Sequence, residues 1–144
     1  MTEGTTDALA WRLGYLLKHT QQRLVQAATP AMAPFGIDGR ELAVLTVLSA
    51  GRPLSQQEAA DQLRVDRTTM VSLVDGLEAK DLVERRRSRD DRRKNIVQLT
   101  KTGLHCLREA GRARDEVDRE FLAPLGDALG RDFIRALRIL ARAD

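Results

Sequence analysis

Residues 54–103 read LSQQEAADQLRVDRTTMVSLVDGLEAKDLVERRRSRDDRRKNIVQLTKTG, and the order of local signals within them decides the fold class. Ser55 is followed three residues later by Glu58, the spacing of a capping box, so a short helix begins near Ser55. Ala59, Ala60 and Leu63 give that helix a small-residue face suited to close packing, and Arg64-Val65-Asp66 leaves only a tight turn, with Asp66 suited to the next N-cap. From Asp66 to Lys80 the apolar residues Met70, Leu73, Val74 and Leu77 share one helix face, which belongs in a core. The other face opens with Arg67, Thr68, Thr69 and Ser72, one guanidinium and three hydroxyls near the amino end. These are side chains able to bond base edges or phosphates when the second helix of a helix-turn-helix enters the major groove. Beyond it, Leu82-Val83-Glu84 and Ile96-Val97-Gln98-Leu99 are β-prone arms of a predicted hairpin whose tip is rich in arginine. Short helix, turn, second helix and basic hairpin together specify a winged helix-turn-helix in a mainly α chain.

Charge agrees with that order. Arg85 to Lys94 holds seven cationic residues and two aspartates, a local +5, whereas the whole chain is +3, so the remainder carries −2. A basic patch on a near-neutral body is a docking element for a polyanion, although the same run is also what a solvated loop looks like.

The stretch resembles the core of MarR-family transcriptional regulators, and the likeness extends over most of the chain. That family carries "LVxR", a wing with Asp-Arg-Arg and then "LTxxG", matched here by Leu82-Val83-Glu84-Arg85, Asp91-Arg92-Arg93 and Leu99-Thr100-Lys101-Thr102-Gly103. The resemblance implies double-stranded DNA as partner. It places Arg92 at the wing tip in the minor groove, where a narrow groove concentrates negative potential, with Asp91 orienting the arginines and Arg93 on phosphate. Arg89 belongs to the same basic wing, and Arg67, Thr68, Thr69 and Ser72 fall where the family's recognition helix touches DNA. One departure stands at Asp81, where the family usually has glycine; aspartate tolerates a left-handed backbone less well.

Both ends of the chain are predicted to be helical with apolar faces. A first helix is expected from Asp7 to Ala28, with Leu9, Leu13, Leu16, Leu17 and Leu24 as its apolar positions, interrupted by Pro30 and Pro34. Between it and the reading segment, Asp38 and Glu41 are spaced as a capping pair for a helix whose core side is Leu42, Leu45 and Leu48, ended by Gly51 and Pro53. After Thr100 a long helix is expected to about Phe121. After Pro124 another carries Leu125, Leu129, Phe133, Leu137 and Leu140 at helical spacing. Such faces pack on their own subunit or interleave with a second copy. In the resembled family the terminal helices form a homodimer, which implies a pseudo-palindromic operator with half-sites about one helical turn apart. The expected organisation is residues 1–34 as N-terminal dimerisation helix, 35–100 as DNA-binding lobe (recognition helix about 66–80, wing about 82–99) and 101–144 as C-terminal dimerisation helices.

Two inputs to such a regulator are legible. On the first helix Arg12, Tyr15, His19 and Arg23 recur on one face with Trp11 beside them, and cationic donors next to aromatic rings suit a small aromatic acid. The alternative is that Arg12 and Arg23 make salt bridges between subunits while Tyr15 and His19 fill core gaps. By resemblance, a phenolic or aromatic carboxylate effector would release the DNA of a repressor. The second input is oxidation of Cys106, the single cysteine, which lies early in the helix after the wing beside Leu104 and Leu107. That setting is more typical of a small buried hydrophobe.

Other classes have little to build on. Two histidines, one cysteine, no Gly-rich phosphate loop and no metal-spaced His/Cys cluster leave very little with which to build a nucleophile, base and orienter for an enzyme, and no cofactor or metal is expected. A winged-helix adaptor that contacts only protein is the more credible rival. No apolar run approaches the roughly twenty residues of a membrane span, and MTEGTTDALAWRL at the amino end lacks a secretory pattern, so the expected location is the cytoplasm.

Overall fold

The computed structural model describes residues 8–142. In chain order they form α1 (Leu13–Met32), a 3-10 turn (Ala33–Phe35), α2 (Gly39–Leu48), β1 (Leu54–Ser55), α3 (Gln56–Leu63) and α4 (Arg67–Ala79). The wing strands β2 (Val83–Arg87) and β3 (Asn95–Leu99), α5 (Lys101–Leu122), a second 3-10 turn (Ala123–Leu125) and α6 (Gly126–Ala141) follow. The chain divides into two units: residues 32–113, and residues 8–31 with 114–142.

In the first unit the helix starts sit where the sequence placed them, because each is specified by hydrogen bonds within one turn. The Asp38 carboxylate accepts from the Glu41 N–H at 2.9 Å, and the Glu41 carboxylate accepts from the Asp38 N–H at 3.2 Å. Ser55 and Glu58 repeat the arrangement at 3.1 and 3.2 Å. Asp66 caps α4 by accepting from the Thr69 N–H at 2.7 Å. Below these caps lies the core, in which Val44, Leu45, Met70, Val74, Leu77, Val83 and Val97 are fully buried. Leu73 and Leu48 pack against it from the sides.

The sheet is antiparallel with order β1-β3-β2. β2 and β3 pair from Val83 opposite Leu99 to Arg87 opposite Asn95. The third strand, β1, pairs Leu54 with Val97 and Ser55 with Ile96, and sequence reading did not anticipate it. Two residues are too short to show an alternating pattern.

α4 leaves for the wing through a Schellman motif: the Leu82 N–H donates to the Leu77 carbonyl at 3.0 Å and the Asp81 N–H to the Glu78 carbonyl at 3.0 Å. Asp81 occupies the left-handed position, with φ 61°. That is the position where the resemblance implied glycine, and the aspartate adopts the conformation at a cost. Asp81→Gly is therefore expected to raise stability by about 0.5–1 kcal/mol, read as a higher thermal midpoint, with an unchanged or lower midpoint counting against the strain.

In the second unit the first helix departs from expectation. The expected start at Asp7 lies outside the described residues, helical geometry is interrupted at 10–12, and α1 begins at Leu13 and runs through Pro30 to Met32. Pro30 lies in the last turn, where it removes the helical bond to the Gln26 carbonyl just before the helix ends. The Thr29 hydroxyl donates to the Val25 carbonyl at 2.8 Å in the same turn. Pro34 instead falls in the 3-10 turn that Gly36 closes at φ 67°. Of the anticipated apolar positions, Leu24, Phe133 and Leu137 are half-buried, while Leu13, Leu16, Leu17, Leu129 and Leu140 are exposed in the single chain.

Candidate nucleic-acid interface

The amino-terminal half of α4 presents an outward strip of Arg67, Thr68, Val71, Ser72 and Asp75. Arg67, Thr68 and Ser72 were anticipated there. Thr69 is half-buried and does not line the strip; its backbone N–H is held by the Asp66 cap. That bond also holds the Asp66 carboxyl below its ordinary pKa.

Arg89, Asp91, Arg92 and Arg93 are all exposed around the wing tip. The tip is built by side chain to backbone bonds: the Ser88 hydroxyl accepts from the Asp90 and Asp91 N–H groups, each at 3.2 Å, and the Asp91 carboxylate accepts from the Arg93 N–H at 3.0 Å. Asp91 thus orders the arginines through the main chain, as Asx turns do.

Between the starts of α3 and α4 and strand β3 runs a groove of about 410 Å³, lined among others by Gln56, Gln57, Arg67, Arg93, Lys94 and Asn95. Arg67 and Arg93, distant in sequence, meet at one concavity, whereas Arg92 stands outside it at the tip. A strand of phosphates passing from a major groove under α4 to a minor groove under the wing would follow this track. Sequence reading missed Gln56, Gln57, Lys94 and Asn95. Lys94 belongs to the basic run and was within reach of charge counting, but only tertiary packing brings the glutamines of α3 beside it. The hydrogen bonds with Ser55, and after them the charges of Arg52 and Lys94, depress the pKa of Glu58 at this edge.

Not every cation of the run is available. Arg85 donates to Asp75 at 2.6 Å and Glu78 at 2.9 Å on α4, and to Gln56 of α3 at 3.3 Å, so it braces the wing against both helices. Arg86 pairs with Glu84 at 2.8 Å. Among the described residues no carboxylate lies within ion-pair distance of Arg87, Arg89, Arg92, Arg93 or Lys94. These five carry the positive field outward. Lys80, at the far end of α4, donates to the Gly36 carbonyl at 2.7 Å and to Glu41 at 2.8 Å, locking the helix to α2.

The anticipated effector residues are less gathered. The Tyr15 and His19 rings stack with centroids 4.1 Å apart and a tilt of 36°. Trp11 is 89% exposed, and Arg12 and Arg23 are exposed without side-chain hydrogen bonds or ion pairs among the described residues. The helical unit has an apolar cavity of about 260 Å³ lined by residues of α1, α5 and α6, among them Leu17, Leu24, Phe121, Phe133 and Leu137, with the Arg114–Asp118 ion pair at 3.1 Å; none of the five anticipated residues lines it. Cys106 is half-buried against the core, and burial pushes its thiol pKa up, which lowers the thiolate fraction on which peroxide chemistry depends. No group of three metal-ligating side chains occurs among the described residues, and no helix among them is long and apolar enough to cross a membrane.

A MarR family profile matches residues 35–94. A putative transcriptional regulatory protein for the hcr operon of Thauera aromatica is 31% identical over 145 aligned residues, covering 100% of this chain and 87% of that protein. The chain belongs to the MarR family. It is accordingly a DNA-binding, winged-helix transcriptional regulator, and solved MarR-family structures share its fold. A transcriptional repressor, CouR, bound to a 23-mer DNA duplex, is 33% identical with a TM-score of 0.75, over 90% of this chain and 89% of that one. PcaV of Streptomyces coelicolor, in complex with its natural ligand, is 27% identical with a TM-score of 0.81, over 94% and 95% of the two chains. In this MarR-family chain the "LVxR" arginine, Arg85, is the brace between wing and recognition helix.

Proposed function

We propose that the protein is a ligand-responsive repressor that binds a pseudo-palindromic operator as a homodimer in the cytoplasm and is released by a small aromatic acid or phenol. The observation that carries the DNA half of this reading is the basic groove that Arg67 of α4 shares with Arg93 and Lys94 of the wing. A similar chain, CouR, is a repressor seen on a DNA duplex, and another, PcaV, holds a natural ligand. The homodimer is supported by the apolar side chains that α1 and α6 leave uncovered in the single chain, Leu13, Leu16, Leu17, Leu129, Ile139 and Leu140 among them. In this reading residues 1–34 and 101–144 carry dimerisation, and residues 35–100 the DNA-binding lobe.

The aromatic effector rests on the stacked Tyr15 and His19 of α1, with Arg12 immediately before the first residue of that helix. The mechanism is a population shift: ligand favours a separation of the two recognition helices that mismatches successive major grooves, by as much as its affinities for the two states differ. Fluorescence anisotropy on the DNA beside the protein's own gene, repeated with a panel of aromatic acids and phenols, tests both halves. Salt-sensitive, sequence-specific binding reversed by one compound is the expected result. Binding that no compound touches would remove the effector class, and weak, salt-insensitive binding would favour a protein-only adaptor. Arg12→Ala is expected to leave DNA affinity intact and to raise the effector concentration needed for release; unchanged release would sink this placement of the effector.

A further inference from the structure

The outward strip of α4 contains one side chain that its polar surroundings do not account for. Val71 lies between Arg67 and Asp75, one turn away on either side, with Thr68 and Ser72 in the neighbouring row. It is half-buried, yet it does not belong to the hydrophobic core or to the side chains packed against it, as Leu73 of the same helix and Val65 do. A β-branched residue gains nothing from helix propensity at this position, and here it gains no core burial either.

The charge around it is arranged for an anionic partner. Asp75 is already held by Arg85 at 2.6 Å, so the carboxylate on the strip is compensated within the protein while Arg67 remains directed to the groove shared with Arg93. An apolar patch framed by a cation and two hydroxyls matches the wall of a DNA major groove, whose apolar feature is the thymine 5-methyl group.

We propose that Val71 is a specificity-determining residue that packs against a thymine 5-methyl group, so that each operator half-site carries a thymine under the second turn of α4. The proposal rests on the DNA-binding reading above and adds to it the chemistry of one base position. The contact discriminates thymine by the loss of one methyl group from water, a selectivity that the guanidinium of Arg67 and the hydroxyl of Ser72 do not supply.

The test starts from duplexes that the wild-type protein selects out of a random pool, followed by single replacement of each thymine with deoxyuridine, which removes only the 5-methyl group. One thymine in each half-site is expected to matter, its replacement weakening wild-type binding about fourfold, the worth of one buried methyl. Val71→Ala, a helix-compatible change at a half-exposed site, is expected to bind the thymine operator several-fold more weakly and to be indifferent to uridine at that position. Val71→Ile, which keeps the branched apolar surface, is expected to retain the dependence. A wild-type protein insensitive to every uridine, or a penalty of equal size in Val71→Ala, overturns the proposal. A protein that selects no sequence from the pool fails at the first step, and then the reading of α4 as a specific DNA interface falls with it.

Discussion

Gly103→Ala is expected to lower stability by about 3 kcal/mol or more, enough to leave much of the protein unfolded in the midrange of a urea titration where wild type is folded. A Cβ at this position would lie 1.9 Å from the Leu82 carbonyl oxygen and 2.8 Å from its carbon, and both are backbone atoms that no rotamer change can move. The junction around them is closed. The Thr100 N–H donates to that same Leu82 carbonyl at 3.1 Å, the Thr100 hydroxyl donates to the Asp81 carbonyl at 2.6 Å, and the Gly103 N–H donates to the Thr100 hydroxyl at 2.9 Å. Relief of the clash requires parting α5 from the end of α4 and from the start of the wing, which breaks these bonds and uncovers Leu82 and Val83. Gly76→Ala supplies the contrast. Gly76 is also within a helix, but nothing lies within 4 Å of its would-be Cβ. Alanine there is expected to stabilise by about 0.5–1 kcal/mol. Urea unfolding followed by circular dichroism distinguishes the two, and a wild-type midpoint for Gly103→Ala would show that close approach is not what requires the glycine.

Arg92→Ala is expected to weaken operator binding by about 1–3 kcal/mol and to reduce the slope of log affinity against log salt by about one unit. Arg92 is exposed at the wing tip and has no acidic partner among the described residues, so its charge is available to DNA, unlike that of Arg85. A guanidinium inserted into a narrow minor groove displaces counterions and meets a concentrated negative potential, and both effects vanish with the side chain. Anisotropy titrations from low to high salt measure affinity and slope together. Unchanged affinity and slope would move the wing contact from Arg92 to Arg93, the neighbour that lines the groove with Arg67.

What could be read from sequence and what could not follow from the range of the interactions involved. The starts of α2, α3 and α4 were legible because Asp38 with Glu41, Ser55 with Glu58 and Asp66 with the Thr69 N–H satisfy helix ends across three residues. The buried face of α4 was legible because Met70, Val74 and Leu77 repeat at the helical period. The arms of the wing and its excess of charge were equally local. The strand β1 was not legible, since its two residues become a strand only when Ile96 and Val97 lie opposite them. Nor was the use made of the cations. Arg85 finds partners seven, ten and twenty-nine positions away, so the first arginine of the basic run braces the wing instead of adding to its outward charge.

The sequence by itself thus determined the order of helices, the caps that start them, the core face of α4 and the sign of the charge on the wing. Each of these depends on neighbours within about one helical turn or one strand. Only the tertiary structure decided that Arg67 and Arg93 share a groove, that Thr69 turns away from the outward strip while Val71 lies on it, that Asp81 is held left-handed, and that Gly103 must be glycine. Those outcomes depend on the packing of α4, α5 and the wing against one another in three dimensions, and no periodicity along the chain encodes such contacts.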